Sequence, residues 1–227
     1  KEIGMDQKFI KLFNGYKAAY GVADMTHPGA YTEPSGKKKP VYRWNYEPFT
    51  DQIYSDHLTG KKSVGIQPCN ENSEVVFGVI DVDPKNYEDF NTKFYIDIIQ
   101  DYKLPLIPIE SKSGGLHLYL FLKEFTSASV IVSFLSNLLP LFELKPDCEI
   151  FPKQTQLTKN GESGELRPGQ FINLPYYKGT ERKALNVDGT PFTLEQFVEL
   201  AEANLVIESD LKNITTSIEN KDMEGVD

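Results

Sequence analysis

Apolar and polar residues change rhythm several times along the chain, and each rhythm predicts an element. Residues 75–83, Val-Val-Phe-Gly-Val-Ile-Asp-Val-Asp, form an apolar, β-branched run ended by Pro84, which predicts a buried strand. From Glu88 to Tyr102, Phe90, Phe94, Tyr95, Ile98 and Ile99 recur at helical spacing. Leu106 to Glu110 and Leu116 to Leu122 predict a hairpin around a Ser/Gly turn. Residues 127–139 place Ile131, Phe134, Leu135 and Leu138 on one helical face, stopped by Pro140. Short strands follow at 149–151 and 171–174, either side of a polar loop. A last helix is predicted from Thr193, with Gln196 completing a capping box, to about Glu208. At the other end, residues 1 to about 25 read as helix with Phe9, Ile10 and Phe13 on one side. Residues 27–40 read as a loop, and residues 41–48 as a strand in which Tyr42, Trp44 and Tyr46 alternate with Arg43 and Asn45.

Strands and helices in this mixed order predict an α/β or α+β domain, with an antiparallel sheet at its centre covered by helices. It is expected to occupy residues 1–207, with 208–227 an acidic, disordered tail.

The composition adds limits. With 227 residues, 40% hydrophobic and 12% aromatic, the chain can bury a real core. No apolar run reaches membrane-span length and no signal-peptide pattern opens the chain, so a cytoplasmic protein without a membrane partner is expected. It starts at Lys1, which reads as a piece of a longer polypeptide. Cys69 and Cys148 stand apart without His or Cys company, so no zinc site is expected. The net charge of −9 opposes nucleic acid at long range. Basic residues nevertheless cluster at Lys37–Lys39 with Arg43, at Lys61 and Lys62, and at Arg182 and Lys183, as a phosphate track or as solvated surface.

Three short segments carry candidate chemistry. Asp81 and Asp83, two apart in a strand, project from one face, where they repel unless a divalent cation bridges them. In residues 110–120, consecutive Ser113, Gly114 and Gly115 can form a backbone nest for phosphate oxygens, and His117 shares a strand face with Tyr119. In residues 147–154, Asp147, Glu149 and Phe151 share a face, offering a third carboxylate. Taken singly, each has a plainer reading: aspartates before a proline turn, a Gly-Gly hairpin, a solvated edge strand. Together, and in that order, they make the set that two-metal nucleotidyl transfer needs, carboxylates for two cations about 4 Å apart and donors for a triphosphate.

As an ordered set these residues resemble the archaeo-eukaryotic primase superfamily, whose three motifs match Asp81-Val-Asp83, Ser113-Gly-Gly-Leu-His117 and Glu149. The likeness runs from about 50 to 180. It takes in residues 57–65, Ile150-Phe-Pro-Lys-Gln154 and Phe171-Ile-Asn-Leu-Pro175, which resemble primase domains of conflict systems and mobile elements, including CRISPR-associated primase-polymerases. The resemblance implies an RRM-like antiparallel palm at about 71–207 beside an N-terminal α/β unit at about 1–70. It implies Mn²⁺ or Mg²⁺ held by Asp81, Asp83 and Glu149, with His117 also catalytic. Ser113, Gly114, Gly115 and His117 are implied to bind the triphosphate, with Lys153 and Asn173 as further contacts; Lys112 joins them on charge alone. Nucleoside triphosphates and a single-stranded DNA or RNA template with its primer are the implied partners. The pattern departs from the family in two places: Asp147 competes with Glu149 as third acid, and the zinc-binding cysteines of replicative primases are missing.

The rivals are a D-x-D glycosyltransferase, which does not call for the Ser-Gly-Gly-Leu-His segment, a metal-dependent nuclease, and an inactive RRM-like nucleic-acid-binding module.

Overall fold

The apolar run predicted as the buried strand is the spine of the protein. In the computed structural model, which describes residues 3–225, it forms β6 (Glu74–Val82) at the heart of a four-stranded antiparallel sheet. Its neighbours are β8 (Leu116–Ser127) on one side and β9 (Glu149–Phe151) on the other, with β7 (Leu106–Glu110) beyond β8. The chain runs β6, α3 (Thr92–Asp101), β7, β8, α4 (Ala128–Leu138), β9. β6 and β7 are thus parallel, with β8 inserted between them and antiparallel to both, a split β-α-β connection.

Strand alternation gives this sheet two unlike faces. Ile80, Val82, Leu116, Leu118 and Leu120 point to one side, where α3 and α4 close an aliphatic core. Phe77, Val79, Tyr119 and Phe121 point to the other. There α1 (Met5–Leu12) and α5 (Leu194–Ala203) bring Phe9 and Phe197 into the core, and Phe13, just past α1, meets Phe77, Tyr119 and Phe121 edge-on at 5.3–5.7 Å between ring centres. The aromatic plug covers only one end of that face. The other end, where β6 finishes, stays open.

A second antiparallel sheet borders the opening, in the order β10 (Ile172–Asn173), β5 (Val64–Ile66), β1 (Tyr20–Asp24), β4 (Val41–Asn45). It joins strands from both ends of the chain. Gly21 and Gly65 face each other across β1 and β5, and a side chain on either would collide with the Phe171 ring, so the glycines let that ring lie against the sheet. Helix α2 (Asp51–Thr59) is fastened to this sheet by buried His57, whose Nδ1 accepts from the Val64 N–H at 3.1 Å and whose Nε2–H donates to Pro175 O at 2.8 Å. A short hairpin, β2 (Tyr31–Thr32) and β3 (Lys38–Lys39), completes the strands.

Two antiparallel four-stranded sheets and six helices among the described residues make a mixed architecture compatible with the α+β expectation. The capping box at Thr193 and Gln196 is present, and β7, β9 and α4 lie where the pattern predicts them. Three expectations need correction. The helix expected to about residue 25 ends at Leu12, because Gly15 packs against Gln67 O and Tyr20 to Asp24 pair on both edges as β1. The expected loop at 27–40 contains the β2–β3 hairpin. The segment expected to be a disordered tail is helix α6 (Glu208–Glu224): Leu211 is buried, Ile214 and Ile218 pack on the aliphatic core, and Tyr102 donates to Asp222 at 2.7 Å. Its acidic composition belongs to the solvated side of a docked helix. Residues 226 and 227 of that expectation lie outside the described residues, as do residues 1 and 2 of the first helix.

Candidate active site

Sheet register aligns the predicted side chains. Asp81 sits directly opposite His117 of β8 and, on its other edge, directly opposite Glu149 of β9. Residues paired in this way share a face, so imidazole and two carboxylates form a row across three strands. Asp83 follows two residues on, at the end of the same strand. Asp147 lies before β9 and is exposed, so the register favours Glu149 as Asp81's neighbour.

His117 Nε2 lies 3.2 Å from Asp81 Oδ1, with side chains only 13% and 23% exposed. Asp83 accepts from the Lys85 N–H at 3.0 Å, capping a single 3₁₀ turn that opens at Pro84. Glu149 is turned outward and paired with Lys153 Nζ at 2.7 Å. Among the described residues, no three His, Cys, Asp or Glu side chains converge closely enough to hold a metal ion as they stand.

The 111–115 turn folds on itself. Ser111 O accepts from the Gly114 N–H at 3.2 Å and Ser111 Oγ from the Gly115 N–H at 2.9 Å. Those two amides serve the turn, so the nest expected from Ser113, Gly114 and Gly115 does not present them to a ligand. Gly115 has a different role: a Cβ there would meet Val82 O at 2.6 Å and Pro84 Cδ at 2.9 Å. Its lack of a side chain lets the turn sit against the end of β6, bringing Ser113 and Lys112 beside the aspartates.

These elements enclose a cleft of about 480 Å³. Asp81, Asp83, His117, Lys112, Ser113 and Asn173 line it; Glu149, Lys153, Gly114 and Gly115 do not. Lys37, Lys38 and Lys39 lean in from the hairpin, and Tyr42 and Phe171 form an aromatic wall with ring centres 6.2 Å apart, Lys112 Nζ lying 5.1 Å from the Tyr42 ring centre. The lining holds six basic side chains, with Lys85 and Arg182, against three acids with Glu110. In a chain of net charge −9 that local reversal gives the cleft a basic lining beside a carboxylate pair. Arg43 and Lys61 spend their charge elsewhere, on Asp24 and Asp56.

Sequence reading singled out neither Tyr119 nor Arg182 for the site. Arg182 figured with Lys183 as a basic pair, a phosphate track or solvated surface, and in the structure it is partly buried in the cleft lining.

The donor set fits a hard divalent cation. Asp81 and Asp83 offer carboxylate oxygens on one face, and Glu149 stands in register on the next strand, paired with Lys153. The thiols are turned to other uses: Cys69 is buried, and Cys148 Sγ donates to the backbone O of Asp81 at 3.3 Å. No helix among the described residues is long and apolar enough to cross a membrane.

No curated protein matches the chain. A family model does, described as the archaeo-eukaryotic primase domain of TOTE conflict systems, and it extends the likeness read from the sequence to residues 10–214. Nearly the whole length is covered, the two sheets and the cleft between them included, and the chain belongs to that primase-polymerase-like family of nucleotidyltransferases.

Proposed function

We propose that the cleft joins nucleoside triphosphates on a single-stranded nucleic-acid template, making or extending a primer with release of pyrophosphate. The observation that carries this reading is Asp81, Asp83 and His117 opening together into a cleft whose other lining is mostly basic, with Glu149 in register beside Asp81 on the next strand. On this reading the β7-β8-β6-β9 sheet is an RRM-like palm, and the second sheet is the N-terminal unit beside it.

Asp81, Asp83 and Glu149 would hold Mn²⁺ or Mg²⁺. Such ions, when bound, lower the pKa of an attacking hydroxyl and take up charge on the leaving phosphates. The remaining work falls to the chain itself. His117, fixed by Asp81, sets its ring edge against the phosphates. Ser113 and Lys112 grip the triphosphate from the turn. Asn173, on β10, offers an amide to sugar or template from the opposite wall. Lys37–Lys39 draw the polyanion in, while Tyr42 and Phe171 present flat rings on which a base can stack. Positioning and charge neutralisation carry most of the catalysis in phosphoryl-group chemistry, and each of these groups does one or the other.

The Glu149–Lys153 pair and the lack, among the described residues, of three converged metal-ligating side chains favour a rival, a nucleic-acid-binding module without turnover. Incubation with Mn²⁺, labelled nucleoside triphosphates and a single-stranded template separates the two. Product from the parent, absent from the Asp81→Ala/Asp83→Ala variant, supports nucleotidyl transfer. Template binding with no product from the parent decides for the rival.

A further inference from the structure

Two residues in the cleft lining carry polar atoms that the rest of the protein leaves unused. Tyr119 lies two residues beyond His117 on the same face of β8, and its hydroxyl is sealed from water and bonded to nothing. Arg182 stands in the turn after β10, with φ +58°. Its Nη2 donates to Ser63 Oγ at 3.0 Å, whereas Nη1 is buried without a partner. Among the described residues, no carboxylate forms an ion pair with Arg182.

A buried donor without an acceptor is costly, and a buried cation without an anion more so. A left-handed backbone at a non-glycine residue adds to that cost and persists only where the surroundings enforce it. Here two such atoms occur together, on residues lining a basic cleft. Burial pushes the tyrosine pKa far above its ordinary range, with the Arg182 charge opposing, so the hydroxyl stays protonated and able to donate. Arg182 is a permanent cation held by Ser63 on one side, with Nη1 left to aim. What is missing is one acceptor with negative charge and several oxygens.

We propose that Arg182 Nη1 and the Tyr119 hydroxyl form a phosphate subsite in the floor of the cleft, for the triphosphate of the incoming nucleotide rather than for a template or primer backbone. The assignment rests on the nucleotide reading of the cleft. It commits to the incoming nucleotide because Tyr119 neighbours His117 on the row that carries Asp81, whereas the lysines suited to a backbone stand on the hairpin. Nη1 can engage a phosphate without breaking any bond, since it makes none.

The test is calorimetric titration of the chain with inorganic tripolyphosphate in EDTA, which reads the subsite without metal or turnover. Arg182→Gln should weaken binding about tenfold or more, and Arg182→Lys, which keeps the charge but loses the fork, by less. Tyr119→Phe should weaken it roughly threefold, while the unliganded Tm stays level or rises, because the hydroxyl removed had no partner. That second variant holds the proposal to account should Arg182→Gln fail to fold. Affinity for an oligothymidylate should stay unchanged in both. Unchanged tripolyphosphate affinity in Tyr119→Phe and in whichever Arg182 variant folds overturns the subsite, and so does a loss confined to the oligothymidylate. The polymerase reading fails separately: a parent that binds tripolyphosphate through Arg182 yet incorporates no nucleotide retains the subsite and loses the function. A parent that does neither loses both.

Discussion

The two faces of the β6–β8 pair are built from alternate residues of the same strands, yet they obey different rules. On one face Ile80, Val82, Leu116, Leu118 and Leu120 are at most 1% exposed and carry no polar atom. On the other, Phe77, Tyr119 and Phe121 are equally buried, but the row ends in Asp81 and His117, partly open to the cleft. The first face holds the fold together and the second carries the residues of the proposed site. A period of two lets one sequence segment satisfy both, since a substitution at position n touches one face and at n+1 the other.

The contrast is tested first by two substitutions at adjoining pairs. Asp81→Ala should cut nucleotide incorporation by at least about a thousandfold, equivalent to about 4 kcal/mol of barrier, while moving folding stability by less than about 1 kcal/mol. Leu118→Ala, across the strand pair and on the other face, should do the reverse: about 3 kcal/mol of stability lost in urea unfolding, with incorporation near parental well below the melting temperature. A large stability loss at Asp81, or a rate loss at Leu118 without destabilisation, would show that the faces are not separable.

The next prediction concerns the second sheet. Burial, with the nearby Arg182 charge adding and the Pro175 hydrogen bond opposing, lowers the His57 pKa from 6.5 to about 4. The unfolded chain therefore binds the extra proton between those values and the folded chain does not. This contribution is complete above pH 6.5, declines as pH falls from 6.5 to 4, and amounts to about 3 kcal/mol over the window. Denaturant midpoints for the parent should fall across that window, and those of His57→Gln should fall less steeply. Parallel pH profiles would count against the buried, neutral histidine.

The smallest effect is at Thr193, away from both faces. Its hydroxyl accepts from the Gln196 N–H at 3.2 Å, and Thr193→Ala should cost about 1 kcal/mol by thermal unfolding with no change in incorporation rate.

Much of the β6–β9 sheet was legible from local pattern, because β6, β8, α3 and α4 declare themselves over nine to twelve residues each. So were Asp81, Asp83 and His117, whose shared face follows from alternation and pairing alone. The second sheet was harder to read. β10 fell inside the strand expected at 171–174, whereas β5, three residues long and too short for a period, exists because tertiary pairing completes it. Helix α2 hides its buried side among Tyr54, His57 and Leu58, a polar-looking set whose histidine is held neutral to lower pH by its burial. α6 reads as a charged tail until the core it docks on is present. The turn at 111–115 shows the limit of motif reading: glycine predicted a phosphate nest, whereas Gly115 is used for close packing against β6. Arg182 showed only as half of a basic pair, a phosphate track or solvated surface alike, and only the fold brings it into the same cleft as Asp81, Asp83 and His117.

The central claim is that the carboxylates on this face gather divalent ions beside a bound triphosphate. The most direct measurement is anomalous diffraction from crystals of the chain soaked with Mn²⁺ and a non-hydrolysable nucleoside triphosphate. The account predicts Mn²⁺ peaks between Asp81 and Asp83, with Glu149 swung away from Lys153 and the phosphates toward His117. Mn²⁺ bound elsewhere, or a nucleotide seated outside the cleft, would contradict it.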